Sequence, residues 1–246
     1  GVYLAEFHLP SERAIIKQAS YLALARHMEE LGWDAVDGIL LDLGASSMQF
    51  DTPQRGFSFL ADGPLDMRFD PSAGLTATAI VNTWPEQELA DLLFRFGEEP
   101  AAQRIARAIV TARPLESTGQ LAALIEQVKP RRGPRHPATL TFQALRMAVN
   151  DEQESLEEVL PVAVKALKKG GRLAVISFHS LTDRLVKLFF RRESKDCLCP
   201  PRQPICTCGH KASIKEFNRH PILPTEAETR QNSRARSAKL RVAEKL

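Results

Sequence analysis

The stretch Ala35-Val-Asp-Gly-Ile-Leu-Leu41, closed by Asp42-Leu-Gly-Ala-Ser-Ser47, constrains what this chain can fold into more than any other part of it. An apolar run of strand length that ends in a small, polar loop fits a central parallel strand, buried on both faces, whose carboxyl end opens into a functional loop. Residues 155 to 169 read as a helix with Leu156, Val159, Leu160, Val164 and Leu167 facing inward, stopped by Gly170-Gly171 in the manner of a helix C-terminal glycine. The helix leads into a second buried strand, Arg172-Leu-Ala-Val-Ile-Ser-Phe178. Strands on either side of helices predict an α/β doubly wound sheet, with Ala238-Lys-Leu-Arg-Val-Ala-Glu244 closing it as an alternating, edge-like strand.

The remaining chain divides by its punctuation. Residues 50 to 74 are rich in Gly, Pro and Asp around Phe57 and Phe59, a long loop of the kind that often carries function. Between about 85 and 150 the apolar period is helical, with helices expected from Pro85, over 101 to 112, 117 to 128 and 139 to 150, then over 181 to 192 further on. Residues 11 to 32 fit either an amphipathic helix or a short buried strand at Ala14-Ile-Ile16, and 196 to 230, rich in Pro and Cys, are irregular. These readings predict a first sheet segment at 1–75, an inserted helical block at 76–150 and a second sheet segment at 151–246. The chain opens on Gly1 and runs directly into strand-like Val2-Tyr-Leu-Ala-Glu-Phe7, as though it began inside a domain.

With 246 residues, 43% of them hydrophobic, the chain can bury a full core, and no apolar run approaches the roughly 18 residues that would suggest a membrane span. The net charge of +3 does not argue for nucleic acid, but its distribution does more. Lys129, Arg131, Arg132 and Arg135 share one loop, and Arg230, Arg234, Arg236, Lys239, Arg241 and Lys245 crowd the C-terminus, answered there by Glu244. Such clusters either neutralise phosphates or are solvated surface charge. Cys197-Leu-Cys199 and Cys206-Thr-Cys208, followed by His210, are all the cysteines of the chain. Without an export signal they suggest metal thiolates before disulfides, a possible structural zinc held by Cys197, Cys199, Cys206 and Cys208 with His210 as an alternative ligand. The C-x-C spacing is shorter than the usual zinc pattern, so a reduced loop without metal stands beside that reading.

Ligands of open α/β sheets gather beyond the carboxyl ends of the strands, here Asp42 to Gln49 and Ser177 to Ser180, which should face one crevice. Asp42 and Gln49 can hydrogen-bond a polar ligand; the plainer alternatives are a cap for Asp42 and a simple turn for Ser46 and Ser47. His179 either relays a proton, contacts a base or fixes its own loop, the last being the favoured reading. The absence of a P-loop, a G-x-G-x-x-G and a Ser-His-Asp order argues against NTPase, dehydrogenase and hydrolase chemistry.

Specific strings go further. Gly38-Ile-Leu-Leu-Asp-Leu-Gly-Ala-Ser-Ser47, Arg55-Gly-Phe-Ser-Phe59, Asp62-Gly-Pro-Leu-Asp-Met-Arg68, Phe96-Gly-Glu-Glu99, His136-Pro-Ala-Thr139, Thr141-Phe-Gln-Ala-Leu-Arg146, Ile176-Ser-Phe-His-Ser-Leu181 and Arg234-Ala-Arg-Ser237 occur in one order. Together they resemble the ribosomal RNA small subunit methyltransferase H family over residues 35 to 246. The resemblance implies a class I, Rossmann-like methyltransferase fold with an inserted helical domain, S-adenosylmethionine as methyl donor, and N4 of a cytidine in the decoding region of small-subunit ribosomal RNA as acceptor. It implies cofactor contacts at Asp42 and Gln49, an adenine-side ring at Tyr21, and substrate or RNA contacts among Ser46, Ser47, Arg55, Arg68, His136, Arg146, His179, Arg234 and Arg236. It also implies a cytoplasmic protein, or one of an organelle matrix or stroma, with no membrane partner.

The sequence departs from the family pattern at its start. Nothing in residues 1 to 34 resembles the glycine-rich cofactor loop that ends in Gly-Gly-His, and Glu6 or Phe7 stands where an aspartate is expected. Leu140, Thr182 and Ser233 replace an expected Arg, Glu and Pro. An N-terminally incomplete methyltransferase is therefore the leading expectation, with a noncatalytic RNA-binding relic as its alternative; a related amino methyltransferase with another substrate fits the fold but not the strings.

Overall fold

The computed structural model describes residues 14 to 246 except 73, 132, 134, 202 and 204, so the strand expected at 2–7 and the basic residue Arg132 lie outside the described residues. In chain order the helices are α1 (Leu24–Glu30), α2 (Ser47–Asp51), α3 (Ala77–Thr83), α4 (Glu86–Gly97), α5 (Ala102–Ala112), α6 (Thr118–Val128), α7 (Thr139–Val149), α8 (Glu152–Ala166), α9 (Ser180–Glu193) and α10 (Glu226–Gln231). The strands are β1 (Val36–Asp42), β2 (Leu167–Ser177), β3 (Ile214–Glu216) and β4 (Lys239–Lys245). None of the described helices is long and apolar enough to cross a membrane. The chain forms two compact units, one built from the residues up to Asp42 with Ser155–Leu246, the other from Leu43–Glu154.

The first unit carries a mixed sheet in the order β1-β2-β4-β3. β1 and β2 are parallel, which the long connection between them allows, while β4 runs antiparallel to both β2 and β3. Three expectations change here. β1 stands at one end of the described sheet instead of its centre: it pairs with β2, only Leu41 is buried, and Leu40 is 63% exposed. Position in the sheet, more than the apolarity of the run, sets how much of a strand is covered. β4 is not an edge strand, because β3 and the bridge from Ile222 to Leu240 cover its second side. The helix over 155 to 169 ends earlier than its periodicity suggests. Leu167 already pairs with Val36, the register then shifts, and Gly170, with φ +78, lies in the irregular turn inside β2. The ambiguous residues 11 to 32 resolve into a short 3-10 turn at Tyr21–Ala23 and α1, with no strand at Ala14 to Ile16.

The sheet and α9 are tied by a buried ion pair. Asp183, on the first turn of α9, receives Arg241 Nε at 2.7 Å and Nη2 at 3.1 Å, and both residues are less than a tenth exposed. Arg241 also donates to the carbonyl of Arg219.

The second unit is helical. Ile80, Leu89, Leu93, Ile105, Ile109, Leu121, Ile125 and Leu145 are fully buried in one core, each such side chain contributing about 1.5–3 kcal/mol through the surface it removes from water. Helices α4 to α7 stand where the helical period placed them. α3 was not expected; its signal was Thr76, which caps it by accepting from Ala79 N–H at 3.1 Å. The loop before α3, assigned by its sequence to the sheet, packs with the helices: Leu65 and Met67 are fully buried in the helical core, and Thr118 N–H reaches Gly63 O at 2.8 Å.

Replacing Arg241 by Leu strands the Asp183 carboxylate in the interior. Unfolding in urea should show a loss of about 3–5 kcal/mol for this variant, whereas Asp183→Leu/Arg241→Leu should recover most of it. Equal losses in the single and double variants would remove the pair from its anchoring role.

Candidate functional site

At the carboxyl edge of the sheet, Asp42 is in register with Ile176, so the ends of β1 and β2 are side by side. The Asp42 carboxylate takes no hydrogen bond among the described residues. The residue is solvent-exposed overall, yet the strand end strips part of the carboxylate's hydration, and this desolvation raises its pKa from the ordinary aspartate value. One strand over, His179 is the N-cap of α9: its Nδ1 lies 3.5 Å from Thr182 N and 3.2 Å from Thr182 Oγ1. It caps the helix that follows its loop. Tyr21, in its 3-10 turn, presents a ring that is 37% exposed.

Ser46, Ser47 and Gln49 open the second unit as a capping box rather than a simple turn. Gln49 N–H reaches Ser46 Oγ at 3.4 Å, and Ser46 N–H donates to Gln49 Oε1 at 2.8 Å. The spacing Ser46-x-x-Gln49 is that of such a box. The box occupies the Oε1 side of the Gln49 amide and leaves its Nε2 side outside the box. Ser47 is exposed on the first turn of α2.

Most of the arginines expected at RNA are engaged inside the unit. Arg55 Nη2 donates to the carbonyls of Arg68 at 2.6 Å and Phe69 at 3.1 Å. Arg68 forms a two-point pair with Asp66 at 2.9 and 2.7 Å. Arg146 does the same with Glu152 at 2.7 and 3.0 Å, both side chains only 12% exposed. Phe57 stacks on Phe69 with ring centres 5.6 Å apart, and Gly56 makes the bend before it possible: its φ is +71, and a Cβ there would stand 2.1 Å from Pro64 O. His136 donates from Nε2 to Glu126 at 2.9 Å, accepts from Ala138 N–H at Nδ1, and packs against Phe59 at 4.4 Å.

The two basic clusters thin out in the same way. Lys129 is bound to the fully buried Glu99 at 2.7 Å. Of the C-terminal group, Arg241 is buried on Asp183, Lys239 stands 3.8 Å from the same carboxylate, and Lys245 donates to the carbonyls of Lys165 and Leu167. Arg234 and Arg236, in the 3-10 turn Ser233–Ser237, remain exposed.

The cysteines come together. Sγ of Cys197 is 3.5 Å from Cys206 and 3.8 Å from Cys208, and all four sulfurs lie within 4.8 Å of one another. The backbone N–H groups of Leu198 and His210 bring the Cys208 thiol down to about 6. Cys197 goes the other way: the N–H of Cys199 lowers it, but the adjoining thiols outweigh that and push it up to about 12.

The MraW methylase family matches residues 4–246 of this chain. Among similar proteins, the Ribosomal RNA small subunit methyltransferase H of Oleidesulfovibrio alaskensis is 51% identical over 96% of this chain and 75% of its own length. The protein of that name from Thermomicrobium roseum is 54% identical over 91% of this chain and 70% of its own, and that from Carboxydothermus hydrogenoformans 51% over 96% and 77%.

Three carboxyls of the loop before α3 sit below their ordinary pKa: Asp62 chiefly through Gly119 N–H, Asp66 through the Arg68 side chain, and Asp70 through the Ser72 hydroxyl. A carboxyl depressed by folding contributes stability above its unfolded pKa and loses it as pH falls through the folded one. Melting followed by circular dichroism should therefore show Tm falling below about pH 4. Asp62→Ala should lower Tm at pH 7 and flatten that acid slope; an unchanged slope would show that the carboxylate does not dock the loop.

Proposed function

We propose, from the premise that this chain belongs to the MraW methylase family, that it transfers the methyl group of S-adenosylmethionine to N4 of a cytidine in the decoding region of small-subunit ribosomal RNA. The family is one of class I methyltransferases, enzymes whose mixed sheet the first unit carries. What supports a small-subunit ribosomal RNA substrate is the extent of the match, which runs through the strand end at Asp42, the loop strings and β4, with relatives named Ribosomal RNA small subunit methyltransferase H. The reaction belongs with ribosomal subunits in the cytoplasm.

The donor chemistry fits the residues present. A carboxylate that takes no hydrogen bond among the described residues, at the end of β1, can accept hydrogen bonds from a ligand's hydroxyl or amino groups, so Asp42 is assigned to the cofactor. Tyr21, exposed in the same unit as Asp42, is assigned to the adenine side of the cofactor. Bound S-adenosylmethionine supplies an electrophilic methyl on a positively charged sulfur. The acceptor is the cytidine amino nitrogen, which would have to lie in line with that methyl group and, once methylated, would lose a proton to solvent. Because the amino lone pair is delocalised into the ring, holding the base in line supplies most of the acceleration. The base must be single-stranded or turned out of its stack to be reached. Arg236, exposed in the turn before β4, is the arginine assigned to RNA phosphates. Arg55 and Arg146 are withdrawn from that role by their internal bonds.

Methyl incorporation into small ribosomal subunits from a labelled donor, with the product nucleoside identified, tests the reading directly. No N4-methylcytidine above background would overturn it. Asp42→Ala should weaken cofactor binding about 10- to 100-fold by calorimetry, since a hydrogen bond to a charged group is worth about 1.5–3 kcal/mol; unchanged binding takes Asp42 out of the site. Arg236→Ala should weaken RNA binding and reduce the slope of log K against log salt by about 1 for the lost phosphate contact, with cofactor affinity intact.

A further inference from the structure

The chain between α9 and β3 has nothing ordinary to hold it. None of its described residues from Lys195 to Ala212 is buried, and none lies in a helix or strand. A segment of this length without a core needs another staple, which in small folds is a disulfide or a metal. Its base is anchored: Ser213 N–H reaches Glu193 O at 2.9 Å, Ala212 N–H reaches Asp196 Oδ1 at 3.4 Å, and His210 Nε2 lies 3.1 Å from Arg192 O. Its tip holds the four cysteines.

We propose that Cys197, Cys199, Cys206 and Cys208 bind one zinc ion as a tetrathiolate that clamps this segment. Four of the six Sγ···Sγ separations are 3.5, 3.8, 4.0 and 3.6 Å and all lie within 4.8 Å, close to the edges of a metal tetrathiolate and far longer than a covalent S–S bond. Four sulfurs at about 2.3 Å from a central zinc stand about 3.8 Å apart, whereas a disulfide brings its two sulfurs to about 2.05 Å. Backbone N–H groups point at the sulfurs as they do around metal thiolates: Leu198 to Cys208 at 3.3 Å, Cys199 to Cys197 at 3.4 Å, and Thr207 to Cys199 at 3.4 Å. Such bonds spread the negative charge that four thiolates would gather around one dication. His210, with its Nε2 turned to Arg192 O, is left out of the ligand set. The short C-x-C spacing is workable because the two pairs face each other across the loop, each pair contributing one edge of the tetrahedron. Zinc here is a structural ion, with all four positions closed by protein and none open to substrate.

The test uses the 246-residue chain purified under reductant without chelator. Elemental analysis should find close to one zinc per chain, and cobalt put in its place should give the thiolate charge-transfer band and the d–d absorption of a tetrahedral site. Chelation should open the segment to trypsin at Lys211, and added zinc should close it again. Cys206→Ser should lose the zinc while His210→Ala keeps it. The cobalt spectrum of the unaltered chain decides the matter even where the cysteine variant misfolds. No zinc above background after reconstitution, stoichiometric iron in its place, disulfides by mass spectrometry in the reduced preparation, or a His210→Ala variant that loses the metal would each overturn the assignment.

Discussion

A carboxylate and a guanidinium buried together set the geometry of the sheet's carboxyl edge. Asp183 and Arg241 are far apart in the chain but meet at 2.7 Å, and the bond holds the first turn of α9 against β4. Two charges taken out of water gain little net stability over apolar residues of the same size. What the pair contributes is register: a one-residue slip of β4 would turn Arg241 to the opposite face and leave Asp183 alone in the interior. With α9 held there, His179 caps it, β2 ends beside β1, and Asp42 stands at the mouth of the strands.

The long loop of the helical unit is governed by the same kind of accounting of polar groups. Asn150 accepts from Phe69 N–H at 2.6 Å and donates to Met67 O at 2.8 Å, Arg55 reaches the carbonyls of Arg68 and Phe69, and Asp62 receives Gly119 N–H at 2.7 Å. These bonds satisfy backbone that would otherwise be stranded beside the buried Leu65 and Met67. The strings around Arg55 and Asp62 to Arg68, which carried the family resemblance, are thus in large part instructions for folding a loop. Their side chains are mostly spent on that loop rather than held out to a ligand.

Much of this was legible in residues close together in the chain. The apolar runs at 35–41 and 172–178 became β1 and β2, and the helical period between 85 and 150 became α4 to α7. The Ser46 and Gln49 capping box was equally readable from its spacing, and α3 was announced by Thr76. The coverage of Leu40, the place of β4 within the sheet and the turn inside β2 were not, because each depends on what a strand lies beside. Asp42 was legible as the end of a strand, but that its carboxylate takes no hydrogen bond among the described residues was visible only once its neighbours were in place.

The sequence by itself determined the two apolar strands, the helices α4 to α7, the family and the grouping of the four thiols along the chain, since periodicity, turn chemistry and ordered strings are properties of neighbours in the chain. Only the tertiary structure decided which charges remain for a ligand. Lys129, Arg146 and Arg241 read as cations in basic or signature strings, yet Glu99, Glu152 and Asp183 claim them. A buried carboxylate costs too much without a partner, and that partner can come from anywhere in the chain; local sequence does not say where.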